Sequence, residues 1–428
     1  MIDIKLIRAE PQKFIEAAQV KNIEVDIPAL LDMDRRLLEA QREFQEIRTA
    51  QNAAGKRIAK LTAQEKAAAI AEMAQLKNRS KELTDLIDRL EPRFDELMLL
   101  VAQPPAPDVP AGKDESENVV LRVEGEVRGF DFEPKDHVQL GEALDIIDIS
   151  RGVKLAGSRN FVLKGAGAMM HLAILRLAID QMAAKGFTLM TVPVLVNESV
   201  MYGTGYFPVG RDQAYLAERD GMSLVGTAEV PVTAYHADEV LDEADLPRKY
   251  AAMSTCFRRE AGAAGKDTYG LYRIHYFDKV EQVILCRNDV ETSIAHHQEI
   301  VRNGEDVLKA LGLPYRVVNV CTGDLGQGQV QKFDIETWMP SRNGYGETHS
   351  ASRFHEFQAR RLNIRYRDAA GRMQFVHTLN NTVIASPRIM ISVLELYQNA
   401  DGSVTVPPAL RPYMHGLEKI EPKTTRAV

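Results

Sequence analysis

Three cysteines, Cys256, Cys286 and Cys321, are all that the 428 residues contain, and they lie far apart with no paired spacing. That scarcity argues against a disulfide scaffold or a thiolate zinc site and points to a reducing compartment. No apolar run approaches the roughly 20 residues that a membrane-crossing helix needs, and the N-terminus lacks a signal-peptide pattern. A cytoplasmic protein without membrane contact is therefore expected. Positive charge is also short: the formal net charge is −7 with 26% charged residues, so the overall balance does not mark a nucleic-acid binder. Nucleic acid would have to meet a locally basic element. The length leaves room for two or three domains and a sizeable core.

What is present begins with a short helical lead, in which Pro11 is placed to open a helix. A sustained heptad pattern follows. Leu30, Leu37, Phe44, Gln51 and Ile58 fall seven apart, with Met33, Ala40, Ile47, Ala54 and Leu61 in the partner positions. Thr62 to Glu65 fits a capping box that starts a second helix. Its seam runs through Ala69, Leu76, Leu83, Leu90 and Leu97, with Met73, Ser80, Ile87 and Phe94 between them. Two heptad helices joined by a tight turn predict an antiparallel coiled-coil hairpin, which Pro92 should kink or end near its base. One stretch of this hairpin is basic: Arg42, Arg48, Lys56, Arg57 and Lys60, with Lys77, Arg79 and Lys81 returning opposite. Such a face suits either solvent or a phosphate backbone.

Gln103 to Glu117, rich in proline and then in acid, reads as a semi-rigid linker. The expected domains are residues 1–102, a linker over 103–118, and a second domain over 119–428. Within the latter, a helical pattern from Ala166 to Lys185 ends at Gly186, and a strand from Thr188 to Leu195 contains Pro193.

The stretch from Ala251 to Glu281 reads as two strands around a glycine-rich loop. Alternation puts Arg273, His275, Phe277, Lys279 and Glu281 on one face, with Arg258 and Glu260 sharing a face on the first strand. Cations, an aromatic plate and two carboxylates suit a nucleotide, although a solvated amphipathic hairpin presents the same pattern. Upstream, Thr227 and Glu229 stand two apart, and on an extended segment both could point at one amine. Downstream, Ser386 fits an N-cap and Pro387 a first helical position, which puts Arg388 at an anion-favouring helix start.

Phe257-Arg258-Arg259-Glu260, the loop, and Phe277-Asp278-Lys279-Val280-Glu281 resemble motif 2 of class II aminoacyl-tRNA synthetases, and Cys256 to Glu281 as a whole resembles the seryl-tRNA synthetases. The resemblance runs from Met1 to about Gly416. It implies an α+β fold: an N-terminal coiled-coil arm followed by an antiparallel-sheet catalytic domain flanked by helices, assembled as a homodimer through motif 1 around residues 166–195. It implies ATP and L-serine as substrates, Mg2+ as cofactor and tRNA(Ser) as acceptor, with tRNA(Sec) left open.

By the same likeness Arg258 and Arg388 are catalytic, and Thr227, Ala228, Glu229, Arg258, Glu281, Asn380 and Thr382 bind serine. ATP would meet Arg258, Arg259, Glu260, Ile274, Phe277, Glu347, Thr348, His349, Ser350 and Arg388, with Glu347 and Ser350 holding the metal. The arm would bind tRNA through its cations. His349 reads as a neighbour of the metal site, since imidazole is a poor magnesium ligand. Departures from the family stand at Tyr276, Gly346, His349, Arg353, Asn381 and Pro387. Period two puts Tyr276 opposite Glu281, a packing position. Two rivals remain, a paralogue charging a non-tRNA acceptor and a non-catalytic tRNA-binding or coiled-coil protein. The matched arm argues against the first and the joint retention of the motif residues against the second.

Overall fold

The computed structural model describes residues 1–58, 62–262 and 268–422, and the chain divides into two compact units, Met1–Pro104 and Pro105–Val428. In the first, Pro11 opens the Pro11–Val20 helix as its position predicts. Two long helices follow, Ile27–Ile58 and Ala63–Leu100. The second starts at the expected box: the Glu65 carboxylate accepts from the Thr62 N–H at 2.9 Å and from its hydroxyl at 2.6 Å. Gln41 reaches Glu91 while Glu43 meets Arg79, so partner numbers fall as the first helix climbs and the pair is antiparallel. Ala40, Ile47 and Leu83 are buried between them, flanked by Phe44, Leu76 and Ile87. Leu61 lies outside the described residues.

Pro92 does not end the second helix, which runs on to Leu100. A proline removes one backbone hydrogen bond at a cost of ~3 kcal/mol. Apolar burial beyond it, at Met98 and Val101, outweighs that local loss.

Among the described residues of the second unit, eight strands form the main sheet: β1 Val119–Glu124, β2 Thr188–Met190, β3 Arg248–Phe257, β4 Tyr276–Cys286, β5 Tyr315–Asn319, β6 Gln331–Met339, β7 Gly344–His355 and β8 His377–Ser386. Their order is β1-β5-β6-β7-β8-β4-β3-β2, antiparallel except for the β2–β3 pair. The stretch expected as one strand from Thr188 is two. β2 stops at Met190, and Leu195–Asn197 joins a separate small sheet. Pro193, with no N–H to give a ladder, stands in the gap. The proline-rich stretch ahead of β1 is stitched to this unit. Thr322 N–H donates to the Pro110 carbonyl, Gln331 to Asp108, and the Cys321 thiol to the Asp114 carbonyl.

The Ala166–Ala184 and Val290–Leu311 helices pack on one face of the sheet, where Gln282 and Asn381 both donate to the Ile300 carbonyl. Tyr276 lies on this face too. It stacks on Phe161 at 4.9 Å and donates to that residue's carbonyl, the packing role its parity predicts.

Behind β7 and β8 sits a buried basic cluster. The His355 and His377 rings stack at 4.6 Å, Arg353 reaches His355, and His297 hydrogen-bonds the Ala351 carbonyl. Burial pushes His297 and His377 down to about 4 and His355 to about 3. Each folded-state value lies below the unfolded one, so the fold holds these rings neutral. Their contribution is whole above pH ~6.5 and is lost as pH falls toward the folded values. The unfolding free energy read from urea titrations should therefore drop steadily between pH ~6.5 and 4, by up to about 1.4 kcal/mol per pH unit per ring. His377→Gln should flatten that slope; an unchanged slope would show that His377 is not held neutral.

Candidate active site

The exposed face of the β8-β4-β3 region carries a cleft of about 480 Å³ lined by Arg258, Glu260, Tyr272, Ile274, Phe277, Lys279, Glu347, Thr348, Thr382, Ala385 and Arg388. Strand parity builds it. Phe277, Lys279 and Glu281 alternate onto this face, while Asp278, Val280 and Gln282 turn to the helices. The alternation holds only from Tyr276, where β4 begins. Ahead of it the backbone is irregular. Ile274 lines the cleft, whereas His275 turns to the Arg258 carbonyl and Arg273 to Glu260. The expected shared face for Arg273 and His275 is thus corrected.

Arg258 lies 5.3 Å from the Phe277 ring centroid and donates to the Gly226 carbonyl, a cation and a plate side by side. Across the cleft, Arg388 donates to the carbonyls of Tyr272 and Glu347 and rests over the Tyr272 ring. Arg388 is at the helix start, as expected, but one position earlier in it: Pro387, expected as the first helical residue, is the N-cap, and Arg388 opens the Arg388–Leu396 helix. Ser386 does not cap that helix; it ends β8, and its hydroxyl meets His171 instead.

At the floor, a bulge in β8 skips Val383 and brings Glu281 opposite Thr382. Glu281 is 2% exposed and paired with Lys279, whose ammonium also donates to the Thr227 hydroxyl at 2.7 Å. The Thr227–Glu229 segment is not extended. Thr227 Oγ1 accepts from the Glu229 N–H and starts a short helix, Glu229–Thr233. Glu229 lines a neighbouring cavity with Tyr206 and Phe357, and its carboxyl still sits within the field of Glu281 and Lys279. Burial first, then Glu281, pushes the Glu229 carboxyl up to about 7, against the pull of Gln358, Lys279 and Asn380. Ala228 is fully buried in the core and offers the floor no side chain.

Glu347 and Ser350 stand three apart, a spacing that would place them on opposite faces of a regular strand. A bulge at Thr348 restores them to one face: Glu347 pairs with Glu336 and Ser350 with Asp334, two apart on β6. Glu347 is exposed at the cleft, and Ser350 hydrogen-bonds the buried Asp334, whose second oxygen has no partner. His349 is buried, with its ring nitrogens on Thr348 and the Val383 carbonyl. It does not reach the cleft, and neither does Arg259, which is exposed and opposite in parity to Arg258. Sequence reasoning passed over Lys279, Tyr272, Ala385 and Gln358. Parity alone placed Lys279 on the right face; Gln358, which donates to Glu229 at 2.8 Å, gave no such signal.

On the arm, Arg42, Arg48, Lys56, Lys77, Arg79 and Lys81 are exposed. Arg79 is engaged with Glu43 and Glu82, and Arg42 with Glu46, while Lys56, Lys77 and Lys81 have no ion-pair partner among the described residues. Lys60 and the Arg57 side chain lie outside what is described.

Comparison with known proteins agrees with this geometry. Residues 1–105 match the seryl-tRNA synthetase N-terminal domain, and residues 215–397 the class II tRNA synthetase core domain (G, H, P, S and T). The chain is 43% identical to a serine–tRNA ligase of Deinococcus radiodurans over 98% of both chains, and 42% identical to that of Corynebacterium diphtheriae over 99% of this chain and 100% of that one. The crystal structure of seryl-tRNA synthetase from Pyrococcus horikoshii complexed with ATP superposes with a TM-score of 0.92 at 35% identity, covering 99% of this chain and 100% of that one. Matched from end to end by such relatives, in the arm as well as the catalytic core, the chain belongs to the seryl-tRNA synthetase family.

Proposed function

We propose that the protein activates L-serine with ATP and transfers the seryl group to tRNA(Ser), and that the cleft is where both steps occur. The observation that carries this is the joint placement of Arg258, Phe277 and Arg388 around one cleft whose floor holds Glu281 opposite Thr382. Adenine stacks on Phe277, Arg258 meets the α-phosphate and Arg388 the tail phosphates. The serine carboxylate, already ionised, attacks the α-phosphate and pyrophosphate leaves. The two guanidiniums offset the charge that builds on the phosphoryl oxygens. Glu347 and Ser350 are hard-oxygen donors on one face, a fit for Mg2+, which when bound supplies further neutralisation of phosphate charge. The seryl group then passes to the terminal ribose hydroxyl of the tRNA, which the arm holds by its phosphates.

A homodimer is part of the same reading. Leu172 on the Ala166–Ala184 helix and Leu189 on the edge strand β2 are 58% and 46% exposed, apolar surface suited to a second copy. All three thiols are free and buried, in keeping with a cytoplasmic setting, and among the described residues no helix is long and apolar enough to cross a membrane.

Purified protein with serine, ATP and magnesium should exchange pyrophosphate into ATP without tRNA; no exchange with any amino acid would sink the proposal. Glu281→Ala removes the acceptor for the serine hydroxyl, so it should narrow the serine-over-alanine ratio by about 10-fold or more while ATP affinity holds. An unaltered ratio means that Glu281 does not read the hydroxyl.

Serine's ammonium needs Glu229 ionised, and in the free protein that group titrates near 7. Lowering the pH protonates Glu229, so the KM for serine should rise below pH ~7, approaching tenfold per pH unit. Glu229→Gln should raise the KM and remove that dependence. A wild-type profile flat from pH 8 to 5.5 contradicts the assignment.

Removing residues 35–89 and closing the gap should spare adenylate formation and abolish tRNA charging. Retained charging would make the arm purely structural.

A further inference from the structure

Beneath the cleft, on the helix side of the sheet, a polar chain crosses three strands and one helix. Asp278 of β4 lies in register with Thr255 of β3 on one side and Ser386 of β8 on the other. Because Phe277 and Lys279 face the cleft, Asp278 between them points away from it, toward the Ala166–Ala184 helix. His171 of that helix meets it there. His171 Nε2 lies 2.9 Å from Asp278 Oδ2 and Nδ1 lies 2.8 Å from Ser386 Oγ, while the Thr255 hydroxyl donates to Asp278 Oδ1 at 2.6 Å.

Donor and acceptor roles follow from the groups present. An ionised carboxylate only accepts, so Nε2 carries the proton toward Asp278. In the neutral ring Nδ1 then accepts, and the Ser386 hydroxyl donates to it. Burial pushes Asp278 up, but the bonds from His171 and Thr255 outweigh it and hold the carboxyl below its usual range. Ser386 is fully buried, and the imidazole is the partner of its hydroxyl. In that tautomer the chain has one defined arrangement, and removing any member leaves a buried group unsatisfied.

Ser386 is the last residue of β8, two positions ahead of Arg388, where the chain turns from sheet into helix. Arg388 has no contact with His171; its own partners are the carbonyls of Tyr272 and Glu347. Any control that His171 has over the guanidinium passes through this backbone turn. We propose that His171 is a positioning residue for Arg388: by clamping Ser386 to Asp278 it fixes the strand-to-helix turn from which the arginine reaches the tail phosphates of the nucleotide. This rests on the assignment of the cleft as an ATP site.

A purely structural histidine would weaken the whole cleft, whereas a positioning one acts on the phosphate end alone. Full-length His171→Ala, Ser386→Ala, the double variant and His171→Gln would be compared by pyrophosphate exchange and by calorimetric titration with MgATP in the absence of serine. Each alanine variant should raise the KM and Kd for ATP about tenfold and leave the KM for serine within about twofold. The double variant should be no worse than either single one, because both remove the same link. The His171→Gln amide can donate to Asp278 and accept from Ser386, and it should restore most of the ATP affinity. Unchanged ATP affinity in Ser386→Ala, the smaller change, would overturn the proposal. So would equal losses for ATP and serine, or losses that multiply in the double variant. Wild type that binds MgATP but exchanges nothing would sink the assigned reaction and leave this clamp to be judged by calorimetry. Wild type that fails to bind MgATP would overturn both.

Discussion

The floor of the cleft is short of one positive charge, and much of the site's chemistry depends on that imbalance. Glu281 is nearly inaccessible to water and is matched by Lys279, a pair that solvent screens little. Among the described residues Glu229 stands in the same field with no ion-pair partner of its own; Gln358 and Asn380 hydrogen-bond it. A second buried carboxylate beside the first resists ionising, and so Glu229 titrates near neutrality. A ligand that brings an ammonium group supplies what is missing and draws the proton off. Under the proposed assignment, a preference for an α-amino acid would follow from the charge count of the floor, independently of Glu281 and Thr382 as readers of the hydroxyl. Lys279 serves both sides, since its ammonium also ties down Thr227.

Around that floor the sheet separates chemistry from support by parity. The odd positions of β4 face the cleft and the even ones face the helices, so one strand serves two layers without conflict. Two one-residue bulges adjust this where strict alternation would fail. The one that skips Val383 sets Thr382 opposite Glu281, and the one at Thr348 returns Ser350 to the face of Glu347. Each extra residue is held by a backbone contact: Val383 is fully buried and its carbonyl is met by His349, while Thr348, at the cleft wall, bonds the Ile335 carbonyl. Bulges at functional positions re-aim side chains in this way without breaking the ladder beyond them.

Periodicity made the regular parts legible. Heptads gave the hairpin, the Thr62–Glu65 box gave the start of its second helix, and period two gave Phe277, Lys279 and Glu281 on one face with Tyr276 on the other. Roles for Arg258, Arg388 and Glu347 came from the family likeness, since an arginine at a strand end carries no local mark of a phosphate site. What stayed illegible was wherever the backbone leaves its period. Ile274 rather than His275 enters the cleft because residues 268–275 precede the strand. Thr227 and Glu229 meet at a helix start, not on an extended segment. Ser386 reads as a cap by type, but its hydroxyl is claimed by His171, 215 residues away. His349 reads as an ATP contact beside the metal site by the family likeness, whereas the fold turns its ring into the core. Long-range hydrogen bonds decide such cases, and no window of local sequence contains them.

The arm shows the reverse case, where the structure qualifies a composition argument without removing it. Of its described cations, Arg79 is engaged twice, held by Glu43 across the hairpin and Glu82 along its own helix. All of these groups are exposed, and exposed pairs give little net stabilisation because water and salt serve either ion nearly as well. A phosphate brings a full charge and releases condensed counterions, a gain the acidic partner cannot match. Arg79 and Arg42 can therefore exchange carboxylate for phosphate at small cost, while Lys56, Lys77 and Lys81 need no exchange at all. The Glu43 link also closes the two helices on each other. Its loss on binding would fall on an interface that already buries Ile47 and Leu83 and does not depend on the ion pair to stay closed.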